Sequence, residues 1–176
     1  MMRYYSCDSH VVEAAEIYDG LVDRFGSKAP YISNELDGKP GTWLMLPDGM
    51  RSVPVGRLGI AGASLDDPAT HERIAMGYDG FNPGVMDPVA RLEEQKTDGI
   101  VGEVMYPSLS MFTFAVPDPE VRDAAFRQHN DWIVDYCSVD RDRLIGVGCL
   151  PLPDVERAIA EIDRSSAKGV RGFAIP

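Results

Sequence analysis

Cysteine and positive charge are both scarce in this 176-residue sequence. The three cysteines, at positions 7, 137 and 149, lack the close spacing of a zinc site, and each falls in an apolar stretch. We therefore expect three buried, reduced thiols. Lys and Arg number 17 against 28 Asp and Glu, which gives a net charge of −11. A chain this acidic has no basic surface to neutralise phosphates, which argues against a nucleic-acid or anionic-membrane partner.

Long apolar runs are absent as well, and so are the common motifs of nucleotide-binding proteins and serine hydrolases. No window approaches about 18 consecutive apolar residues, and the opening MMRYYSCDSH has no hydrophobic segment of a signal peptide. We therefore expect a cytoplasmic protein. The sequence contains no P-loop and no G-x-S-x-G elbow, and GVGCLP at 146–151 lacks the third glycine of a dinucleotide fingerprint.

What is present is a regular alternation of strands and helices. Apolar, β-prone stretches predict strands at 2–9, 99–107, 143–153 and 170–176. An aspartate that can cap a helix, with proline next to it in three of the four cases, predicts helices at 68–76, 88–97, 119–139 and from Asp154 to about Ala167. Such alternation predicts an α/β fold with four parallel strands covered by helices.

The segment between the first strand and these units is less regular. Residues 11–25 have rough helical spacing, GTWLMLPDGMRSVP at 41–54 predicts a hairpin around Pro47-Asp48-Gly49, and the glycine-rich stretch at 55–64 predicts an irregular loop.

Asp8 and His10 stand two positions apart at the end of the first strand. Strand side chains alternate between faces, so both should point the same way. A carboxylate oxygen and an imidazole nitrogen suit zinc, manganese or iron(II). The same spacing also fits an Asp–His hydrogen bond or a plain turn. Cys7 should point to the opposite face, which argues against a catalytic Cys–His dyad.

Other polar residues allow more than one interpretation. His129 lies on the apolar stripe of its helix, so we expect a packed, hydrogen-bonded histidine. Glu103, in mid-strand, could line a barrel interior or pair with an arginine. Glu13 could form a hydrogen bond to a metal-binding residue, or it could lie exposed in a first helical turn. Arg51, just beyond the hairpin turn, is a residue type that binds carboxylate substrates, although a surface arginine fits equally well.

Four stretches together resemble a known family: DSHVVE, DGIVGEVMYPS, NDWIVDYC leading to DRLIGVGCLPLPD, and GVRGFAIP. The sequence resembles the amidohydrolase-related family that includes aminocarboxymuconate semialdehyde decarboxylase and the resorcylate-type decarboxylases. The resemblance implies a metal-dependent (β/α)₈ barrel whose first strand carries His-x-His, or a carboxylate-x-His variant, at its mouth. Asp8 and His10 match those two positions.

The resemblance also implies that half of the barrel is missing. The family's remaining ligands, a histidine from strand 5 and an aspartate from strand 8, and a further histidine on strand 6 come from the second half. A full barrel takes about 250 residues. Residues 1–176 then form a single partial domain: the first half of a (β/α)₈ TIM-type barrel, with about four βα units and a hairpin insertion at about 31–86. The catalytic residues are expected in the absent half.

The complete family member implied here is a metal-dependent hydrolase or a non-oxidative decarboxylase, hence a lyase, acting on a small carboxylate, amide or lactone. Zinc or manganese would bind Asp8 and His10, and Arg51, Tyr106 and Ser108 would contact the substrate. With two of about four ligands, the chain alone should bind metal weakly and be inactive. The alternative is an inactive fragment or a half-barrel interaction protein, whose open strands favour a homo-oligomer.

Overall fold

The structure, a computed structural model, describes residues 3–175. Its strands are β1 Tyr4–Val11, β2 Tyr31–Leu36, β3 Lys39–Met45, β4 Val53–Pro54, β5 Ile100–Pro107, β6 Leu144–Gly146, β7 Gly148–Cys149 and β8 Phe173–Ala174. Its α-helices are α1 Leu21–Phe25, α2 Pro68–Ala75, α3 Pro83–Met86, α4 Pro88–Asp98, α5 Ser110–Thr113, α6 Pro119–Cys137 and α7 Val155–Ser166. Short 3₁₀ turns lie at Ala15–Tyr18, Gly26–Lys28, Val55–Arg57 and Gly77–Gly80.

Parallel strands follow one another in the order β1, β5, β6/β7, β8. β5 lies between β1 and β6, and β7 pairs with β8, all in parallel. Val147 joins β6 to β7; its N–H donates to the carbonyl of Met105 at 3.0 Å, and Gly148 N–H donates to Gly172 at 2.9 Å. Residues 144–149 therefore act as one interrupted strand between β5 and β8. The predicted α/β fold with a parallel sheet is confirmed, while Met2 and Pro176, at the ends of two predicted strands, lie outside the described residues.

Each of the four predicted helices begins where its aspartate caps it. Asp67, Asp87, Asp118 and Asp154 accept backbone N–H groups of the first turn at 2.9, 2.7, 3.0 and 3.0 Å. The bonds satisfy amides that have no partner inside the helix. These four helix predictions are confirmed to within two residues at each end.

A separate antiparallel sheet, in the order β2-β3-β4, lies within the segment between α1 and α4. β3 and β4 pair through Trp43 with Pro54 and Leu44 with Val53, which confirms the predicted hairpin. Strand β2 was not predicted from the sequence. Its turn to β3 is Asp37-Gly38, with φ of 52° and 73°, and an Asp-Gly pair between β-prone residues is the signal that could have found it.

The long helix α6 packs its predicted apolar stripe into the interior. Val121, Ala125, His129 and Tyr136 are buried, and Trp132 is partly buried. No helix within residues 3–175 is long and apolar enough to span a bilayer.

One prediction about the cysteines is wrong. All three are free, and Cys137 and Cys149 are buried, but Cys7 is exposed. The reason is that β1 is the outer strand of its sheet and changes register against β5 between Ser6 and Ser9. Cys7 lies in that bulge, where strict alternation fails.

Candidate functional site

Asp8 and His10 approach each other near the carboxyl end of β1. His10 Nε2 lies 4.0 Å from Asp8 Oδ1, and the side chains of His10 and Asp8 are 55% and 91% exposed. The structure thus brings together an oxygen and a nitrogen donor that solvent can reach.

The second ring nitrogen of His10 is held by the neighbouring strand. His10 Nδ1 lies 3.3 Å from the carbonyl oxygen of Pro107, the last residue of β5. Donation from Nδ1–H leaves the lone pair of Nε2 free on the side of Asp8. Metal-binding histidines are commonly oriented in this way, by a backbone carbonyl on the other nitrogen.

The three predicted substrate contacts lie in two different places. Tyr106 is the register partner of His10, with ring centroids 6.0 Å apart. Ser108 follows two residues later and is half-buried. Arg51 lies in a groove with Trp43 and His71 on the antiparallel sheet, and that groove shares no residue with the cleft beside His10. The roles of all three residues stay predictions.

The cleft beside His10 has a volume of about 430 Å³. Leu58 and Val85 give it apolar walls, and Arg91 and Glu94 give it charge. Its volume falls in the size range of ligand pockets, but Asp8, Tyr106 and Ser108 do not line it.

Glu103 pairs with an arginine, which decides between the two interpretations that its sequence left open. Arg91 Nε donates to Glu103 Oε1, and Arg91 Nη2 donates to Oε2 at 3.0 Å. Gln95 Nε2 donates to Oε1 at 2.6 Å. Burial alone would raise the pKa of Glu103, but the Arg91 guanidinium, together with Ser9 and Gln95, holds that pKa below its usual value. Arg91 Nη2 also donates to the carbonyl of His10 at 3.0 Å, so the pair supports β1.

Glu13, three residues beyond His10, is fully buried. Its carboxylate accepts the backbone N–H groups of Ser108, Leu109 and Ser110 at 3.1, 2.7 and 2.9 Å. Burial alone would raise the pKa of Glu13, but His129 and the amides of Leu109 and Ser110 lower it. The interpretation as an exposed first-turn residue is therefore wrong, because the side chain points inward to the loop after β5.

His129 is the packed, hydrogen-bonded histidine that its stripe predicted. Its Nε2 lies 3.1 Å from the carbonyl of Val147, and its Nδ1 lies 3.4 Å from Glu13 Oε1. Burial lowers its pKa, but Cys149 and the Glu13 carboxylate together raise it well above the usual value. The contact at Nδ1 is one of charge and not a hydrogen bond, since only Nε2 has a hydrogen-bond partner. No spacing pattern in the sequence connects Glu13 with His129, so this pair could not be predicted from it.

Asp8 and His10 have the donor atoms of two ligands of a divalent ion, but two ligands do not complete its coordination shell. One supplies oxygen and the other nitrogen, and the Pro107 carbonyl orients the ring. Within residues 3–175 no group of three or more His, Cys, Asp or Glu side chains could hold a metal ion.

Neither a family model nor a curated protein matches the sequence. Solved structures do resemble the chain. An amidohydrolase from Mycobacterium avium subsp. paratuberculosis K-10 matches with a TM-score of 0.63 and 22% identity, over 96% of this chain and 48% of that one. 5-Carboxyvanillate decarboxylase from Novosphingobium aromaticivorans, with bound manganese, matches with a TM-score of 0.55 and 17% identity, over 97% and 41%. 2,6-Dihydroxybenzoate decarboxylase from Rhizobium matches with a TM-score of 0.51 and 16% identity, over 98% and 38%.

The chain shares its fold with part of these enzymes. It spans less than half the length of each of the three. An amidohydrolase and two decarboxylases are the kinds of protein that the sequence resemblance named, so that resemblance is confirmed at the level of the fold.

Proposed function

We propose that this chain forms the first half of the barrel, and part of the metal site, of an amidohydrolase-related enzyme. The observation that carries the proposal is the position of His10 Nε2, 4.0 Å from Asp8 Oδ1 near the carboxyl end of β1. Barrel enzymes build their active sites at the carboxyl ends of their strands. The likeness to enzymes about twice as long or longer supports a half-barrel, a single partial domain with an insertion at about 31–86.

The proposed reaction is hydrolysis or non-oxidative decarboxylation of a small carboxylate, amide or lactone. A bound zinc or manganese ion would supply Lewis acidity to a substrate oxygen or to a water molecule. Asp8 and His10 would hold the ion, and Tyr106 would pack against the substrate beside it. Ser108, two residues further on, and Arg51 stay further candidates for substrate contact. The similar structures include both an amidohydrolase and decarboxylases, so both reactions are kept.

Metal titration tests this assignment. Metal-free protein is titrated with MnCl₂ and ZnCl₂ in a calorimeter, as the wild type and as the variants Asp8→Ala and His10→Ala. We expect weak binding that either variant abolishes. The control is His71→Ala, which removes an exposed histidine whose Nε2 lies 2.8 Å from the carbonyl of Leu65. Equal affinities in all four proteins would contradict the metal site.

Intact mass tests the half-barrel. Protein from its own cells is weighed, and its metal content is read on the same sample. A mass near twice 19.3 kDa per chain, with bound divalent metal, supports the proposal. A metal-free chain of 19.3 kDa contradicts it and favours an inactive fragment.

A second candidate function is that of an interaction protein. Tyr4 and Tyr5 on the outer strand β1 are 46% and 66% exposed, and Ile175, just after β8, is 66% exposed. Large apolar side chains at a strand edge favour association, here as a homo-oligomer. Light scattering after gel filtration tests this: a dimer that Tyr5→Lys dissociates supports it, and a monomer at every concentration contradicts it.

A further inference from the structure

One buried carboxylate connects the loop after β1 with the loop after β5. The three amides that Glu13 accepts belong to consecutive residues, 108–110, and they directly follow Pro107. Three donors converge on the two oxygens of one side chain that is 0% exposed. Glu13 therefore fixes the backbone of this segment.

The segment that Glu13 fixes begins next to the carbonyl that orients His10. His10 Nδ1 lies 3.3 Å from the Pro107 oxygen. The two residues are also tied through the sheet, because Val11 is the register partner of Pro107 and His10 that of Tyr106. The Pro107 carbonyl and the Ser108 N–H belong to one planar peptide group, so a displacement of 108–110 would turn that carbonyl relative to the ring.

Glu13 is itself held in place from two sides. His129 Nδ1 lies 3.4 Å from Glu13 Oε1, and the two side chains are both buried in the interior. Tyr78 Oη donates to the main-chain carbonyl of Glu13 at 3.0 Å. A carboxylate is the side chain this place requires, because a glutamine offers one acceptor oxygen and turns a donor toward backbone donors.

We propose that Glu13 is a positioning residue for His10. By anchoring residues 108–110 it keeps the Pro107 carbonyl against Nδ1, so that the proton stays on Nδ1 and the Nε2 lone pair faces the side of Asp8. The inference rests on the proposed function, which makes His10 a metal ligand, but the effect on the imidazole ring exists without metal and is measured without it.

Nitrogen-15 NMR of the histidine rings in metal-free protein tests the proposal. The chain has three histidines, and His10→Ala identifies the signals of His10. In the wild type we expect His10 mainly as the Nδ1–H tautomer. In Glu13→Gln the tautomer ratio should fall about 2- to 10-fold, the factor that corresponds to losing one hydrogen bond.

Glu161→Gln is the matched control. Glu161 is also fully buried, and it accepts hydrogen bonds from Asn130 at 2.7 Å and from Arg164 at 2.7 Å. Its loss should destabilise the fold without changing the tautomer of His10. A shift of equal size in both variants would overturn the proposal, because general loosening of the interior would then explain it.

Manganese affinity separates this proposal from the function on which it rests. We expect the Kd for Mn²⁺ to rise about 2- to 10-fold in Glu13→Gln, as the lone-pair form of Nε2 becomes rarer. If the wild type binds no Mn²⁺ and the tautomer still shifts, the metal function fails and the positioning stands. If Mn²⁺ binds and the tautomer is the same in Glu13→Gln, the positioning is overturned and the metal function stands.

The wild type alone decides the matter if Glu13→Gln does not fold. Hydrogen exchange of the Leu109 and Ser110 amides should be slow, and His10 should carry its proton on Nδ1. Exchange at the rate of an open loop, or a proton mainly on Nε2, would overturn the proposal.

Discussion

His10 and Tyr106 stand side by side near the carboxyl ends of two neighbouring parallel strands, with their ring centroids 6.0 Å apart. This contact joins a proposed metal ligand to a proposed substrate contact. Arg51 is not part of this contact, because it lies in a groove formed by the antiparallel sheet and α2. An added metal ion should therefore bind beside His10 and not in the groove of Arg51.

Manganese should broaden the NMR signals of one region only. Mn²⁺ is paramagnetic, so nuclei near it relax quickly and their signals broaden. We expect this for Asp8, His10 and Tyr106, while the indole signal of Trp43, which shares the groove of Arg51, stays sharp. The measurement is a titration of isotope-labelled protein with MnCl₂, with Asp8→Ala as the control that should lose the effect. Broadening centred on Trp43 would place the ion elsewhere.

Replacing Arg91 by alanine should destabilise the protein strongly. The side chains of Arg91 and Glu103 are 14% and 4% exposed, so the variant leaves a buried carboxylate without its counter-charge. Such a loss costs about 3–5 kcal/mol of unfolding free energy. Urea unfolding measures it, and Lys96→Ala, which breaks an exposed pair with Glu93, is the control that should change little. A small effect of Arg91→Ala would show that water reaches Glu103.

Acid should weaken the fold through Glu103. Burial raises the pKa of Glu103, but Arg91, with Ser9 and Gln95, lowers it below its usual value in the folded protein. The ionised carboxylate therefore contributes stability above its unfolded pKa of about 4.3, and this contribution is lost as the pH falls through the lower folded pKa. Urea unfolding from pH 7 to pH 3 measures the effect. Glu103→Gln should be less stable at pH 7 and should lose less on acidification, and parallel pH profiles would contradict the assignment.

Local signals in the sequence predict the helices and the parallel strands. Asp87 and Asp118 cap helices with bonds to residues two and three positions away, so neighbouring residues alone determine where each helix starts. The strands are apolar because helices cover them. Local signals cannot give the number of strands in a complete barrel. That number comes from the family resemblance, and the half-barrel is therefore proposed.

Contacts between distant parts of the chain are where sequence reasoning fails. Glu13 meets His129 and the loop after β5 only because β1, β5 and α6 pack together, and no periodicity encodes that meeting. The exposure of Cys7 depends on a bulge in the register of β1 against β5. The place of Arg51 depends on how the antiparallel sheet folds over α2. Each of these three features depends on how the helices and strands pack together, even where the helices and strands themselves were predicted correctly.

Gly146 should not tolerate alanine, because the close packing of β6 against α6 leaves no room for a methyl group. A Cβ at Gly146 would lie 2.2 Å from Ile133 Cγ1 and 3.0 Å from Cys137 Sγ. Overpacking of this kind costs about 1–3 kcal/mol, and urea unfolding measures it. Gly172→Ala is the matched control, since nothing lies within 4 Å of its Cβ. The double variant Gly146→Ala/Ile133→Ala should lose less than the sum of its single changes, because the new methyl group enters the space that Ile133 leaves. Additive losses would mean that α6 moves away from β6 as a body instead.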